Sequence, residues 1–436
     1  MSISALIFIF LYVMGLIKAF TSKPLWGLFS YFVAFYMHPP SRWWGVELPD
    51  FRWSLIAAVI TFIALIFNSK LKIDWLDNKE SKLLLLFWCY ICLQMFWAID
   101  FYLHLRYIEL FLKFILLFVL IRNCITNKGE LIFFILINAI GCTYFGYLGL
   151  INTSGRLEGV GGASIASANL IAQHVAVILI LSSYLLLCNL KKLNWLLIPL
   201  VIILLEIIMQ TESRTVLISL FCIALFSLFY IPRDVKKQFI IYLSLGGILF
   251  FSLLGPQIIQ RFEQISSNES SVFQPKIDRS ALSRIEVIKA QLSMFKERPI
   301  IGYGNRGTLL LSPLYLQEEF LTKPTAQNNN ASIRASHNLA MSMLVDHGLI
   351  GATIYFYLIL ILFLKINVIK NNCEVNKDDF FYSVMLLATT LSLLLLQIAG
   401  QGTNNKVLEV TIWLMALITL ISDHIKSYSK VQINDK

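Results

Sequence analysis

The side chains able to do chemistry are unevenly spread along the 436 residues. Of the 13 arginines, only Arg122 and Arg233 fall in connecting segments that are otherwise rich in lysine. Arg42, Arg52, Arg106, Arg156 and Arg214 occupy the alternate short connections, and Arg261, Arg279, Arg284, Arg298, Arg306 and Arg334 share one long polar segment. A guanidinium is planar, stays charged and grips two phosphate oxygens in a fork, so a surface dense in arginine suits a phosphate- or diphosphate-bearing ligand. For any single arginine the competing reading is a pair with a nearby carboxylate or lipid headgroup. Among the six histidines, His337 lies at the start of SHNLAMSMLVDHGLIG (336–351), where Ser336 is the expected cap of a helix. In a first helical turn the backbone N–H groups and the positive dipole end disfavour imidazolium. A neutral ring beside arginines is a good general base for a hydroxyl nucleophile, the alternative being a capping or interfacial histidine. His174 falls in an apolar run, His424 in the tail, and His347 on another side of the His337 helix. His38 and His104 carry no such context.

Other chemistries find less support. The glycines of IIGYGNRG (300–307) indicate tight turns and close backbone approach, but no strand or GK[ST] makes this a nucleotide loop. Glu47 and Asp50 merely flank Pro49, while Asp74 with Asp77 and Asp378 with Asp379 belong to the opposite set of connections. No metal and no other cofactor is therefore expected, because arginine can neutralise a diphosphate leaving group. The seven cysteines sit almost entirely in or beside apolar runs and give neither a disulfide framework nor a zinc site. Cys89 and Cys92 read as packing residues.

The elements that must position these groups follow from composition. With 57% apolar and 14% charged residues, about 248 positions are apolar, far beyond the roughly 45–50% of a soluble domain. At roughly 20 residues per crossing this is enough for about 12 spans. Apolar runs fall near 3–20, 25–37, 54–67, 83–99, 108–121, 131–150, 165–190, 195–209, 216–231, 238–255, 349–364, 380–398 and 408–422. The second is short, so the expectation is 12 or 13 transmembrane helices, with the side of Met1 depending on that choice. Residues 3–17 lack a basic leader and a cleavage site and read as a membrane helix. Segments 68–82, 122–130, 191–194, 232–237, 365–379 and the tail after 423 hold 17 lysines and arginines, against 6 in the alternate segments 38–53, 100–107, 151–164, 210–215 and 400–407. The first set is thus cytoplasmic and the 82 residues 256–337 lie outside, in the periplasm of a two-membrane cell. The net charge of +10 reflects this bias and anionic lipid, so no nucleic-acid partner is expected. Within the outer segment, SALSRIEVIKAQLSMFKER (280–298) has helical apolar spacing, with Ser280 as cap and Pro299 as stop.

GRLEG (155–159) with Asn169, SRTVL (213–217), SRIEVIKAQLSMFKERPIIGYG (283–304) and SHNLAMSMLVDHGLIG (336–351) together resemble the O-antigen ligase and polymerase superfamily over about residues 150–425. SKPLWGLFSYFVAFYMHPP (22–40) more loosely resembles the amino-terminal part of a subgroup of O-glycosylation ligases. The resemblance implies an all-α polytopic fold of the GT-C glycosyltransferase type with a large periplasmic loop. It also implies transfer of a glycan from undecaprenyl diphosphate to an acceptor hydroxyl. On matching positions His337 would be the base, Arg214 and Arg284 would hold the diphosphate, and Arg156, with Asn169 and Arg306, would complete the substrate site. Asp346 stands where the family has a bulky or acidic residue, and Val216 departs from the usual Gly or Ala.

The expected organisation is membrane helices over 1–255, the periplasmic loop over 256–337, and the histidine helix with the last three membrane helices and a tail over 338–436. The expected function is an inner-membrane, metal-independent ligase that moves the glycan to lipid A-core. A polymerase or a protein O-glycosylation ligase would use the same site. A lipid-linked glycan transporter is the alternative of another class, but Lys113 and Glu206 are the main charges within spans and no internal repeat is visible.

Overall fold

The computed structural model describes residues 1–151, 155–248, 252, 279–322, 332–367 and 377–434. Every apolar run becomes a helix in that part of the chain. These are α1 (Ile3–Thr21), α2 (Leu25–Met37), α3 (Trp53–Phe67), α4 (Lys79–Gln94), α5 (Phe101–Cys124), α6 (Lys128–Ile151), α7 (Ala168–Leu187), α8 (Lys191–Gln210), α9 (Arg214–Tyr230) and α10 (233–248). After them come α11 (Arg279–Glu297), α12 (Gly307–Tyr315), α13 (Leu339–Leu364), α14 (Lys377–Gly400) and α15 (Val410–Asn434). The only β pairing among the described residues is the isolated bridge between Thr322 and Ile333. Six helices there, α1, α6, α7, α8, α13 and α14, are long and apolar enough by themselves to cross a membrane. The protein is an all-α polytopic membrane protein.

Burial follows apolar coverage. The most apolar window of α7 is 89% buried and that of α14 is 83% buried, whereas α1 is only 28% buried. Helices that are apolar all round sit centrally, and α1 presents its free face outward as a lipid-facing helix must. The core joins α7, α14 and α15, with Trp413 packed edge-on among Phe32, Phe35 and Phe134.

Ion pairs sort the connections into two ends, and the sorting follows the alternation read from lysine and arginine. At one end Arg122 pairs with Asp423 at 2.8 Å, Lys365 with Glu80 at 2.7 Å and Lys23 with Glu130 at 2.8 Å. At the other, Arg42 reaches Val160 O, Leu157 N donates to Gln210 O, and His104 Nδ1 accepts from Asn305 N. The short run 25–37 therefore crosses from Lys23 at the first end to His38 at the second. Ser2, whose N–H donates to Glu47 at 2.6 Å, places Met1 at the His38 end.

Two expectations about the outer segment change. Helix α11 already includes Arg279, so Ser280 lies within the helix rather than at its cap. Helix α12 was not anticipated, because its nine residues contain Pro313 and follow a glycine-rich loop. The Asn-rich stretch 328–330, Arg261 and Cys373 lie outside the described residues. In a cysteine-free background, Leu314→Cys on exposed α12 should react with an impermeant maleimide in intact spheroplasts, and Lys237→Cys should not. Labelling at position 237 alone would invert the orientation.

Candidate functional site

Helix α13 is capped by Asn338, not Ser336. Asn338 has φ −135 and ψ 121, and its Oδ1 accepts from Met341 N at 2.8 Å. Serine and asparagine cap about equally well, and here Ser336 is already committed. Its Oγ accepts from Gln291 Nε2 at 3.0 Å and from Asn338 N at 3.1 Å, and donates to Asn338 O at 3.0 Å. One donor and two acceptor positions are all a hydroxyl has. His337 therefore precedes the cap instead of occupying the first turn, held between two anchored neighbours. Its ring is half-buried and makes no hydrogen bond among the described residues.

Helix α11 brings the cations to this ring. Ser283 Oγ accepts from Arg334 Nη2 at 2.7 Å, and Arg334 N donates to Ser312 Oγ on α12 at 2.8 Å. The His337 imidazole is held below its usual value first by burial, then by the charges of Arg334 and Arg284. Burial and the two guanidinium charges thus stand where the sequence suggested a helix dipole as the cause. Arg284 is exposed, and Arg334 Nε is buried with no partner among the described residues.

Arg214 opens α9 on the facing side. Asn169 Oδ1 accepts from Ser213 Oγ at 2.8 Å and from Arg156 Nη2 at 3.0 Å, while Arg156 Nε donates to Thr211 O at 2.6 Å. Arg156 and Asn169 therefore clamp the turn that carries Arg214, and the exposed Arg214 guanidinium stays available. The link to His337 is the connection 400–407, which the motif reading passed over. A Cβ on Gly402 would lie 2.7 Å from Thr215 Cγ2, so this turn packs directly on the start of α9. Gln401 O accepts from Asn338 Nδ2 at 3.2 Å, and Asn404 Nδ2 donates to Ser342 Oγ at 3.1 Å. The signal was present as GQGTNNK, with two glycines, two asparagines and a lysine where a span ends.

Lys406 extends from the same connection to Asp346, and the two side chains are 6% and 2% exposed. Asp346 also accepts from Arg306 N and Thr308 N, each at 3.1 Å. This ties the GYGNRG loop to α13. Gly304, at φ 86, donates its N–H to Asp346 O at 2.8 Å and leaves no room for a Cβ beside Ala98. Gly348, at φ 62 and ψ −172, breaks α13, and the freed N–H groups of Leu349 and Ile350 bond to Pro299 O and Ile300 O at 2.8 and 3.2 Å. The close approach expected of these glycines is thus a glycine-bearing strip, turned at 298–301, laid across a helix break. Arg306 sits on this strip, about 12 Å along α13 from the cap for eight residues of helix. His347 is buried there, with Nδ1 2.6 Å from Gln94 Oε1.

Of the expected site residues, Arg284 lies near enough to His337 for its charge to act on the ring, and so does Arg334, which the motifs did not single out for this role. Arg214 is linked through 400–407, Arg156 and Asn169 support it from behind, and Arg306 lies at the Asp346 junction. Other outer arginines are engaged elsewhere: Arg52 pairs with Glu109 at 3.1 Å, and Arg298 lies over the Tyr303 ring at 4.9 Å. Glu47 accepts from both Ser2 N and Ser2 Oγ.

No curated protein matches the chain. Residues 198–356 match the family model described as O-antigen ligase, a stretch that runs from α8 into α13 and includes Arg214, Arg284, Arg306 and His337. Over that stretch the chain is similar to the O-antigen ligase family, in line with the resemblance its motifs carry.

Proposed function

We propose that the protein transfers a preassembled glycan from undecaprenyl diphosphate to a hydroxyl of lipid A-core, at the periplasmic face of the bacterial inner membrane. The observation that carries this reading is the half-buried His337, which makes no hydrogen bond among the described residues and is kept neutral by burial and two guanidinium groups. A ring nitrogen of His337 takes the acceptor hydroxyl proton as the oxygen attacks the anomeric carbon in line. The bond from that carbon to the diphosphate oxygen breaks, and the leaving group keeps the electron pair. Arg214 and Arg284 bind the diphosphate and stabilise its growing charge, with Arg334 adding to the field. The cations of this site, Arg214 at the start of α9 and Arg284 in the second turn of α11, stand outside the middle of any span, which favours transfer at a surface over transport through the bundle.

The reaction should survive exhaustive chelation with EDTA, since arginine supplies the charge neutralisation. Loss of transfer that Mg²⁺ or Mn²⁺ restores would refute this, and would require Glu47 to release Ser2 and serve a metal instead.

The pH profile carries a sign. The base works only when neutral, so the rate should fall as pH drops through a His337 pKa lying below 6.5. Arg334→Gln removes one charge that depresses it, so the acid limb should move to higher pH. An initial-rate profile whose acid limb stays put or moves down in Arg334→Gln would disconnect His337 from that limb.

A further inference from the structure

On the side of the bundle formed by α2, α3 and α5, none of the groups around His337 is present, yet two cavities meet. The first, of about 430 Å³, opens at the His38 end, and its wall includes Arg52, Trp53, Lys113, Tyr31 and Glu409. The second, of about 580 Å³, continues between α3 and α5 past Phe62, Val119 and Leu71 to Trp75. They share Leu55, Lys113 and Leu116. Both volumes are in the range of small-molecule sites, roughly 300–1,000 Å³. Together they run beside the whole of α3, about 22 Å at the helical rise. The crevice is polar at one end and apolar along the rest, which is the polarity profile of a lipid.

The charges at the polar end are unusual for a lipid-facing groove. Glu109 Oε1 accepts from Arg52 Nη1 at 3.1 Å and from Lys113 Nζ at 2.6 Å, so two cations share one carboxylate oxygen. The triad keeps a net positive charge, and Arg52 remains 73% exposed. Lys113 lies halfway along α5, where an ionised group is costly unless a partner or water receives it. Glu409, the other carboxylate on the wall, already accepts from Tyr31 OH at 2.7 Å and Trp413 Nε1 at 3.1 Å.

We propose that this crevice binds an anionic phospholipid of the surrounding bilayer, its phosphate on Arg52 and Lys113 and an acyl chain laid between α3 and α5 toward Trp75. The site is separate from the one around His337 and holds whatever reaction occurs there.

The test is native mass spectrometry of the full-length protein in detergent, titrated with phosphatidylglycerol and with phosphatidylcholine. One phosphatidylglycerol should bind at least about tenfold more tightly than phosphatidylcholine, the scale expected for two basic residues at a membrane surface. Arg52→Gln with Lys113→Gln should erase that preference, and Lys113→Arg should keep it. Leu116→Trp fills the groove with the charges intact and should weaken both lipids, which keeps the test decisive if the charge variant folds poorly. Equal binding of the two lipids by the wild type, or a preference untouched by both the charge and the filling variants, overturns the site. Displacement of the bound phosphatidylglycerol by one equivalent of undecaprenyl phosphate overturns it as well, because the crevice would then belong to an isoprenoid lipid.

Discussion

His337→Ala is expected to lower glycan transfer by about 10²–10⁴-fold, the usual cost of removing a general base, while binding of the lipid-linked donor stays near wild type. The ring makes no internal hydrogen bond among the described residues, and its neighbours Ser336 and Asn338 are anchored independently of it. Its loss should therefore leave folding intact. Arg214→Lys and Arg284→Lys keep the charge but lose the fork, so both donor binding and turnover should weaken. Turnover and donor affinity measured separately on purified protein distinguish these outcomes. Wild-type turnover in His337→Ala would remove the base from the mechanism, and tolerance of lysine at both arginines would leave them as packing or pairing residues.

The largest stability effect is expected at Lys406. Removing one member of a buried ion pair typically costs about 3–5 kcal/mol, because the other charge is left uncompensated. Lys406→Met strands Asp346, which also holds Arg306 N and Thr308 N. It should lower the thermal midpoint markedly, and Lys406→Met combined with Asp346→Asn should recover part of the loss. Such non-additivity is the signature of a direct pair. The single variant should also lower transfer, since 400–407 joins the starts of α9 and α13. A double variant no more stable than Lys406→Met would show that the pair contributes little by itself.

Much of the architecture was legible because long apolar runs leave the backbone one solution in a bilayer, the helix. The alternation of lysine and arginine also matched the two ends of the bundle. What periodicity could not decide was the status of the short run 25–37, and it took long-range partners, Lys23 with Glu130 and Ser2 with Glu47, to orient it. The cap of α13 was misplaced because Ser336 and Asn338 are both good caps, and only Gln291, 45 residues earlier, takes Ser336 away. Asp346 was noticed as a position in the histidine helix, but its partner Lys406 is 60 residues downstream. No local pattern connects them. Arg334 was visible only as one more outer arginine until α11 and α12 placed it beside His337.

The most direct test of the proposed reaction is transfer itself, with purified protein, undecaprenyl diphosphate-linked glycan and a separate incubation for each acceptor. Glycan should appear on lipid A-core, with release of undecaprenyl diphosphate, in EDTA and not with His337→Ala. Growth of the glycan on its own carrier, or its attachment to a protein, would contradict the assigned acceptor. Movement of intact donor across sealed vesicles, with no glycan transferred to any acceptor, would contradict the enzyme altogether.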